Sequence, residues 1–186
     1  MKNSHSFSLK KHLMGIGGPT FLLAGVTLAL LNPMTRLAQA AEKEEDSSKE
    51  WQETSQQLPA APQAENLLPF YNSSSQSFSL DAKSLSVAND GTIRYSLIST
   101  STGGAKNISY EGIRCQTAEK KLYAFGRSDG SWSASRRDQW EIISDTGFNK
   151  QHSVLLYDYF CEGKTIAGKA EQILGRIKRK QPLKPY

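Results

Sequence analysis

The sequence predicts an α+β fold: an antiparallel β-meander of about four to five strands, with two C-terminal helices packed on it. Two observations carry this. Apolar and polar residues alternate from Phe78 onward, and near the C-terminus apolar residues recur at helical spacing. Strands followed by helices indicate a sheet with its helices segregated to one face.

Residues 1–40 come before the fold. They hold Lys2, Lys10, Lys11 and Arg36 but no Asp or Glu, and an uncharged run rich in Leu, Gly and Ala spans 13–31. Asn32 and Pro33 break the run, and Ala38-Gln39-Ala40 precedes Ala41. A basic leader, an apolar stretch and a small-x-small site make a signal peptide, with cleavage expected between Ala40 and Ala41. A retained membrane anchor is the alternative, since the run approaches the roughly 20 residues a spanning helix needs. Gly15, Gly17, Gly18 and Pro19 weaken it. The expected compartment is the periplasm.

Export changes the charge reading. The chain has 23 basic and 18 acidic residues, and removing the four basic leader residues leaves 19 against 18. The net charge of +5 belongs largely to the leader, so nucleic acid is not an expected partner. The segment after the cut is acidic (Glu42, Glu44, Glu45, Asp46, Glu50, Glu53). The end of the chain is basic (Arg176, Lys178, Arg179, Lys180, Lys184). Membrane contact through that basic end is one expectation, driven by attraction to anionic headgroups.

Residues 41–76 read as an extended or partly helical lead-in. Trp51 and Leu58 are its main large apolar groups at first, and Pro59, Pro62 and Pro69 prevent a long regular element. A single α+β domain is expected over 77–178. Phe78 and Leu80, then Leu85 and Val87, then Ile93, Tyr95 and Leu97 alternate with polar residues, and Asn89-Asp90-Gly91 marks a turn. Ile108 and Tyr110 share one phase, whereas Ile113 and Cys115 resume one position out, which predicts a bulge near Glu111-Gly112. A turn over 116–120 leads to a strand at 121–127, and residues 140–143 form a short helix or strand. Asn149 is a fair cap for a helix through Val154, Leu155, Tyr157, Phe160 and Cys161, and 166–178 reads as a final amphipathic helix. Residues 179–186 form a basic tail.

Cys115 and Cys161 are the only cysteines. In an oxidising compartment they predict one intramolecular disulfide, which would constrain the unfolded chain by roughly 4 kcal/mol. No Cys-x-x-Cys occurs, and no metal or cofactor is expected.

Ser84-Leu85-Ser86-Val87, Asp90-Gly91-Thr92-Ile93-Arg94-Tyr95, Tyr110-Glu111-Gly112-Ile113-Arg114-Cys115, Asp129-Gly130-Ser131-Trp132 and Asp158-Tyr159-Phe160-Cys161 resemble the cryptic neisserial protein 1-like family. The resemblance covers roughly residues 51–176. It implies a small exported envelope protein of Gram-negative bacteria with an uncharacterised role, and it brings no assigned active site.

Chemistry is sparse. His152 is the only histidine after the expected cut, and more often such a residue packs on a helix or lies at the surface. Glu111, Asp129, Glu141, Asp145 and Asp158 are scattered acids. The candidate ligand-binding set is Arg94, Tyr110, Glu111, Arg114 and Trp132: guanidinium forks grip anions and aromatic rings stack on sugars. The bland reading of the same residues is a cross-strand ion pair joining Glu111 to an arginine. The expected function is a monomeric, non-enzymatic binding or envelope-associated protein, with an envelope protein or polysaccharide as partner. The alternatives are a small hydrolase acting on envelope polymers, and lipid-surface association through the C-terminal helix.

Overall fold

The computed structural model describes residues 50–146 and 150–184. The leader, the Ala40–Ala41 junction and Asn149 therefore lie outside the described residues. The expected α+β architecture is present, and the strand count is larger than four or five. Strands β1 (Leu67–Asn72), β2 (Gln76–Asp81), β3 (Ser86–Val87), β4 (Thr92–Ser101), β5 (Lys106–Arg114), β6 (Glu119–Gly126), β7 (Trp132–Ala134) and β8 (Glu141–Ile142) form one antiparallel sheet. Its spatial order is β1-β2-β4-β5-β6-β7, with β3 paired to β4 and β8 to β6. The extra strands are mostly two- or three-residue pieces, too short to show an alternation of their own.

Strand β1 falls inside the expected lead-in. Pro69 argues against a central strand, but β1 is an edge, where a missing N–H costs no ladder bond. The register slips between Pro69 and Tyr71, so the proline sits at an irregularity. At 89–91 the turn forms as expected: Gly91 adopts φ +79°, a left-handed conformation natural to glycine.

β5 pairs with β4 without a slip, so the out-of-phase Ile113 marks the opposite face of β5 and not an extra residue in it. The slip near the expected bulge lies between Tyr110 and Glu111 in the β5–β6 ladder. There Tyr110 pairs with Ala124 and Glu111 with Leu122, leaving Tyr123 as the extra residue. On one face of the sheet, β4 and β5 send Ile93, Tyr95, Leu97 and Ile113 into the main core. That core is completed by α1 (Lys150–Val154), a π-helix (Leu155–Phe160) and α2 (Ala170–Arg179). The first expected helix is thus α-helical for five residues and then widens. Its C-terminal end runs into a small ribbon, β9 (Cys161–Glu162) with β10 (Thr165–Ile166), which also takes Ile166 out of the last helix.

The disulfide Cys115–Cys161 forms as predicted, with Cα atoms 5.5 Å apart. It joins the end of β5 to the residue after the π-helix, so it pins the helical layer to the central strand.

The run of basic residues from Arg176 onward is partly structural. Arg176 turns inward and donates hydrogen bonds to the carbonyls of Tyr159 and Ala167. After α2, Leu183 N–H donates to the Asp158 carbonyl, which folds the chain back on the π-helix. No helix among the described residues is long and apolar enough to cross a membrane.

Candidate functional site: a cation–aromatic sheet face under a strap

The second face of the sheet carries a different chemistry. Arg94 lies opposite Gly112 across β4–β5, and Lys121 lies opposite Gly112 across β5–β6. Strand alternation puts them on the side occupied by Tyr110 and Arg114, away from the main core. Tyr123 joins them because the bulge leaves it without a partner. Tyr110, Tyr123 and Ala124 form a second small cluster with Trp132 packed against it. The Tyr110 ring centroid is 5.7 Å from Tyr123 and 6.1 Å from Trp132.

Residues 50–63 cross this face as an extended strap. Its burial alternates, with Trp51 and Glu53 half-buried and Gln52 and Thr54 exposed. Trp51 lies flat on Arg114, 3.5 Å from guanidinium carbon to ring centroid, and meets Trp140 edge to face at 5.8 Å. Arg114 is also 5.5 Å from the Trp140 ring, in the corner that the two perpendicular indoles form, and its charge pairs with Glu119. Such contacts are worth about 0.5–2 kcal/mol each.

Polar anchors complete the grip. Trp51 Nε1 donates to the Asp90 carbonyl at 2.7 Å, and Thr54 donates through both N–H and Oγ1 to the Asp90 carboxylate. Arg94 donates to the carbonyls of Thr54 and Ser55 and to Asp90. Glu53 accepts from Tyr123 Oη at 2.6 Å and from Lys121 Nζ at 2.8 Å, with Arg94 3.9 Å away. Trp132 Nε1 fastens the far end by donating to the Pro59 carbonyl. Leu58, the other large apolar residue of the segment, is exposed and anchors nothing on this face.

The electrostatics follow from these bonds. Burial pushes the Asp90 carboxyl up, but hydrogen bonds from Thr54 and Thr92 outweigh it and hold the pKa below its ordinary value. Burial lowers Lys121, but hydrogen bonds to Asp138 and Glu53 reverse this, and its pKa is raised. Burial and then the bond to Glu53 push the Tyr123 phenol well up, against the pull of Arg94. Charged and neutral forms are thus locked as the strap needs them.

Of the five expected ligand-binding residues, Arg94, Tyr110, Arg114 and Trp132 share this face. Glu111 does not. It lies opposite Tyr95, which the register directs into the main core. The expected Glu111–arginine ion pair is therefore replaced. Glu111 accepts from Ser109 Oγ at 2.6 Å and Tyr95 Oη at 3.2 Å, and it meets His152 Nε2 at 2.7 Å. His152 is buried rather than superficial, and its Nδ1 has no hydrogen-bond partner among the described residues. The arginines instead use Asp90, Glu53 and Glu119.

Of the other scattered acids, Asp129 accepts from Ser131 in its own turn and Glu141 accepts from Lys120 on the neighbouring strand. Among the described residues, no group of three or more His, Cys, Asp or Glu is placed to hold a metal ion.

Residues 46–178 match the profile of the CNP1-like family. The chain belongs to that family. It is 29% identical over 165 residues to cryptic neisserial protein 1 of Neisseria gonorrhoeae (strain ATCC 700825 / FA 1090), covering 77% of this chain and 81% of that protein. No solved structure matches it. The family match begins before Trp51, so the strap belongs to the shared region together with the sheet that holds it.

Proposed function

We propose that this CNP1-like protein is a periplasmic, non-enzymatic binding domain of the cell envelope, working through the cation–aromatic face of its sheet. The observation that carries the reading is Arg114 over the Trp51 ring and near Trp140, on the face that also holds Arg94 and Lys121. Cations backed by aromatic rings attract carboxylates while keeping an apolar contact, a combination suited to acidic peptides and anionic sugars. Support for export comes from the leader pattern in 1–40, and a disulfide is at home in an oxidising compartment.

The compartment is tested by the intact mass of protein released from the periplasm without reductant. The expected mass is that of a chain beginning at Ala41 and lacking two hydrogens. A full-length mass contradicts cleavage. The binding role is tested on the Trp51→Ala variant of the mature chain, which uncovers one side of Arg114. Titration with an acidic peptide and with polygalacturonate is expected to give saturable binding of at least one, weakened tenfold or more by adding Arg114→Ala. A folded Trp51→Ala protein that binds neither contradicts the reading.

A further inference from the structure

The strap is itself bound the way a peptide ligand is bound, and this points to the partner. None of its residues is fully buried, whereas the groups beneath it are: Arg94, Tyr110 and Tyr123 are each under a tenth exposed. Between residues 50 and 62 the strap makes no backbone ladder with the sheet. It is held by side chains and by single carbonyls. Its occupancy is also imperfect. Among the described residues, Arg94 Nε and Trp140 Nε1, both on this face, are buried donors without a hydrogen-bond partner, and Gln56 Oε1 on the strap is a buried acceptor without one. Native interiors leave few such groups unpaired.

We infer that residues 51–59 act as a tethered stand-in for a polypeptide ligand, and that the face recognises an extended acidic segment of another envelope protein. That segment would carry an indole or similar ring two residues before a carboxylate. The ring would take the place of Trp51 on Arg114, and the carboxylate that of Glu53 between Lys121, Tyr123 and Arg94. The spacing follows from extended backbone, in which residues i and i+2 face the same way. A carbonyl or carboxylate in reach of Arg94 Nε or Trp140 Nε1 would give the ligand a bond that the strap lacks. The tether gives the strap a high effective concentration, so a ligand must compete with it, and a covered face binds weakly until the strap is displaced.

This inference rests on the binding reading above and has its own test. The probe is a fluorescein-labelled peptide of sequence Trp-Gln-Glu-Thr-Ser-Gln-Gln-Leu-Pro, followed by anisotropy against the mature chain. Weakening the strap with Trp51→Ala and Glu53→Gln together is expected to tighten peptide binding tenfold or more over the unaltered protein. Adding Arg114→Ala is expected to abolish the gain. Peptide binding that is absent or unchanged in a folded strap variant overturns the inference, even where polygalacturonate still binds and the broader reading stands.

Where the strap variant does not fold, the unaltered protein is treated with a carbodiimide and excess peptide, since Glu53 is in direct ion contact with Lys121. A peptide-to-Lys121 crosslink supports the inference. Only internal Lys121 crosslinks at millimolar peptide overturn it. Mixed crosslinks between isotope-labelled and unlabelled copies, with none to the peptide, also overturn it and make a second copy the occupant.

Discussion

Glu111 and His152 show how one residue of register decides a side chain's role. Placed opposite Tyr95, Glu111 enters the core with three partners. Burial pushes its pKa up, but the charge and hydrogen bond of His152, the bond from Ser109 and the charge of Lys120 outweigh burial, and the pKa is lowered. A carboxyl with a depressed folded pKa contributes stability above its unfolded value, near 4.5, and loses it as pH falls through the folded value. Chemical denaturation from neutral pH down to about pH 3 should therefore show an acid loss that is shallower in Glu111→Gln. His152→Ala removes the imidazole partner of a buried carboxylate and should cost about 3 kcal/mol at neutral pH, read from the urea midpoint. Arg176 makes a similar case at the other end of the chain. Its guanidinium serves two carbonyls, so Arg176→Ala should cost about 1–3 kcal/mol. Lys178→Gln and Arg179→Gln, on the exposed side of α2, should change stability by under about 0.5 kcal/mol. A membrane role for the basic end is best probed with those exposed positions, because deleting the end from Arg176 would also remove Ile177 from the core.

At the scale of elements, the bulge in β5–β6 and the disulfide matter most. The bulge frees Tyr123 to stand over Gly112, where an added Cβ would lie 2.6 Å from the Tyr123 hydroxyl and 2.9 Å from its ring. Gly112→Ala should therefore cost about 1–3 kcal/mol by overpacking. It should also weaken the Tyr123–Glu53 bond, visible as faster hydrogen exchange in the strap. Replacing Cys115 and Cys161 by serine should cost roughly 4 kcal/mol, since the bond spans a sequence separation of 46. The crosslink and the strands were legible in the sequence for definite reasons. The paired cysteines announced the crosslink and the alternation from Phe78 announced the strands. The phase change between Tyr110 and Ile113, by contrast, came from apolar groups on both faces of β5, and the extra residue is Tyr123 on β6. β1 was hidden by Pro69, which is informative about central strands but not about edges. The π-helix had no periodic signature of its own, because its residues also fit an α-helical pattern over so short a run.

Across the molecule, the sheet is covered twice, by helices on one face and by an extended strap on the other. The first cover could be read from helical periodicity. The second could not, because its hydrogen bonds to this face join residues 36 to 73 positions apart, and a charged, proline-rich segment looks like a linker. Trp51 was the one visible hint, as a large ring in a charged stretch. The arginines and most of the aromatic residues of the site were identifiable by type. Their partners Glu53, Asp90, Lys121 and Tyr123 depended on the fold. The central claim is that the strap is held on this face by Arg114 and Trp51, and a double-mutant cycle tests it most directly. Stability is measured by urea denaturation for the mature protein, Trp51→Ala, Arg114→Ala and the pair. A coupling energy of about 0.5–2 kcal/mol is the result predicted for a stacked indole and guanidinium. Additive effects, with coupling near zero, would mean that the strap is not gripped there and would contradict the account.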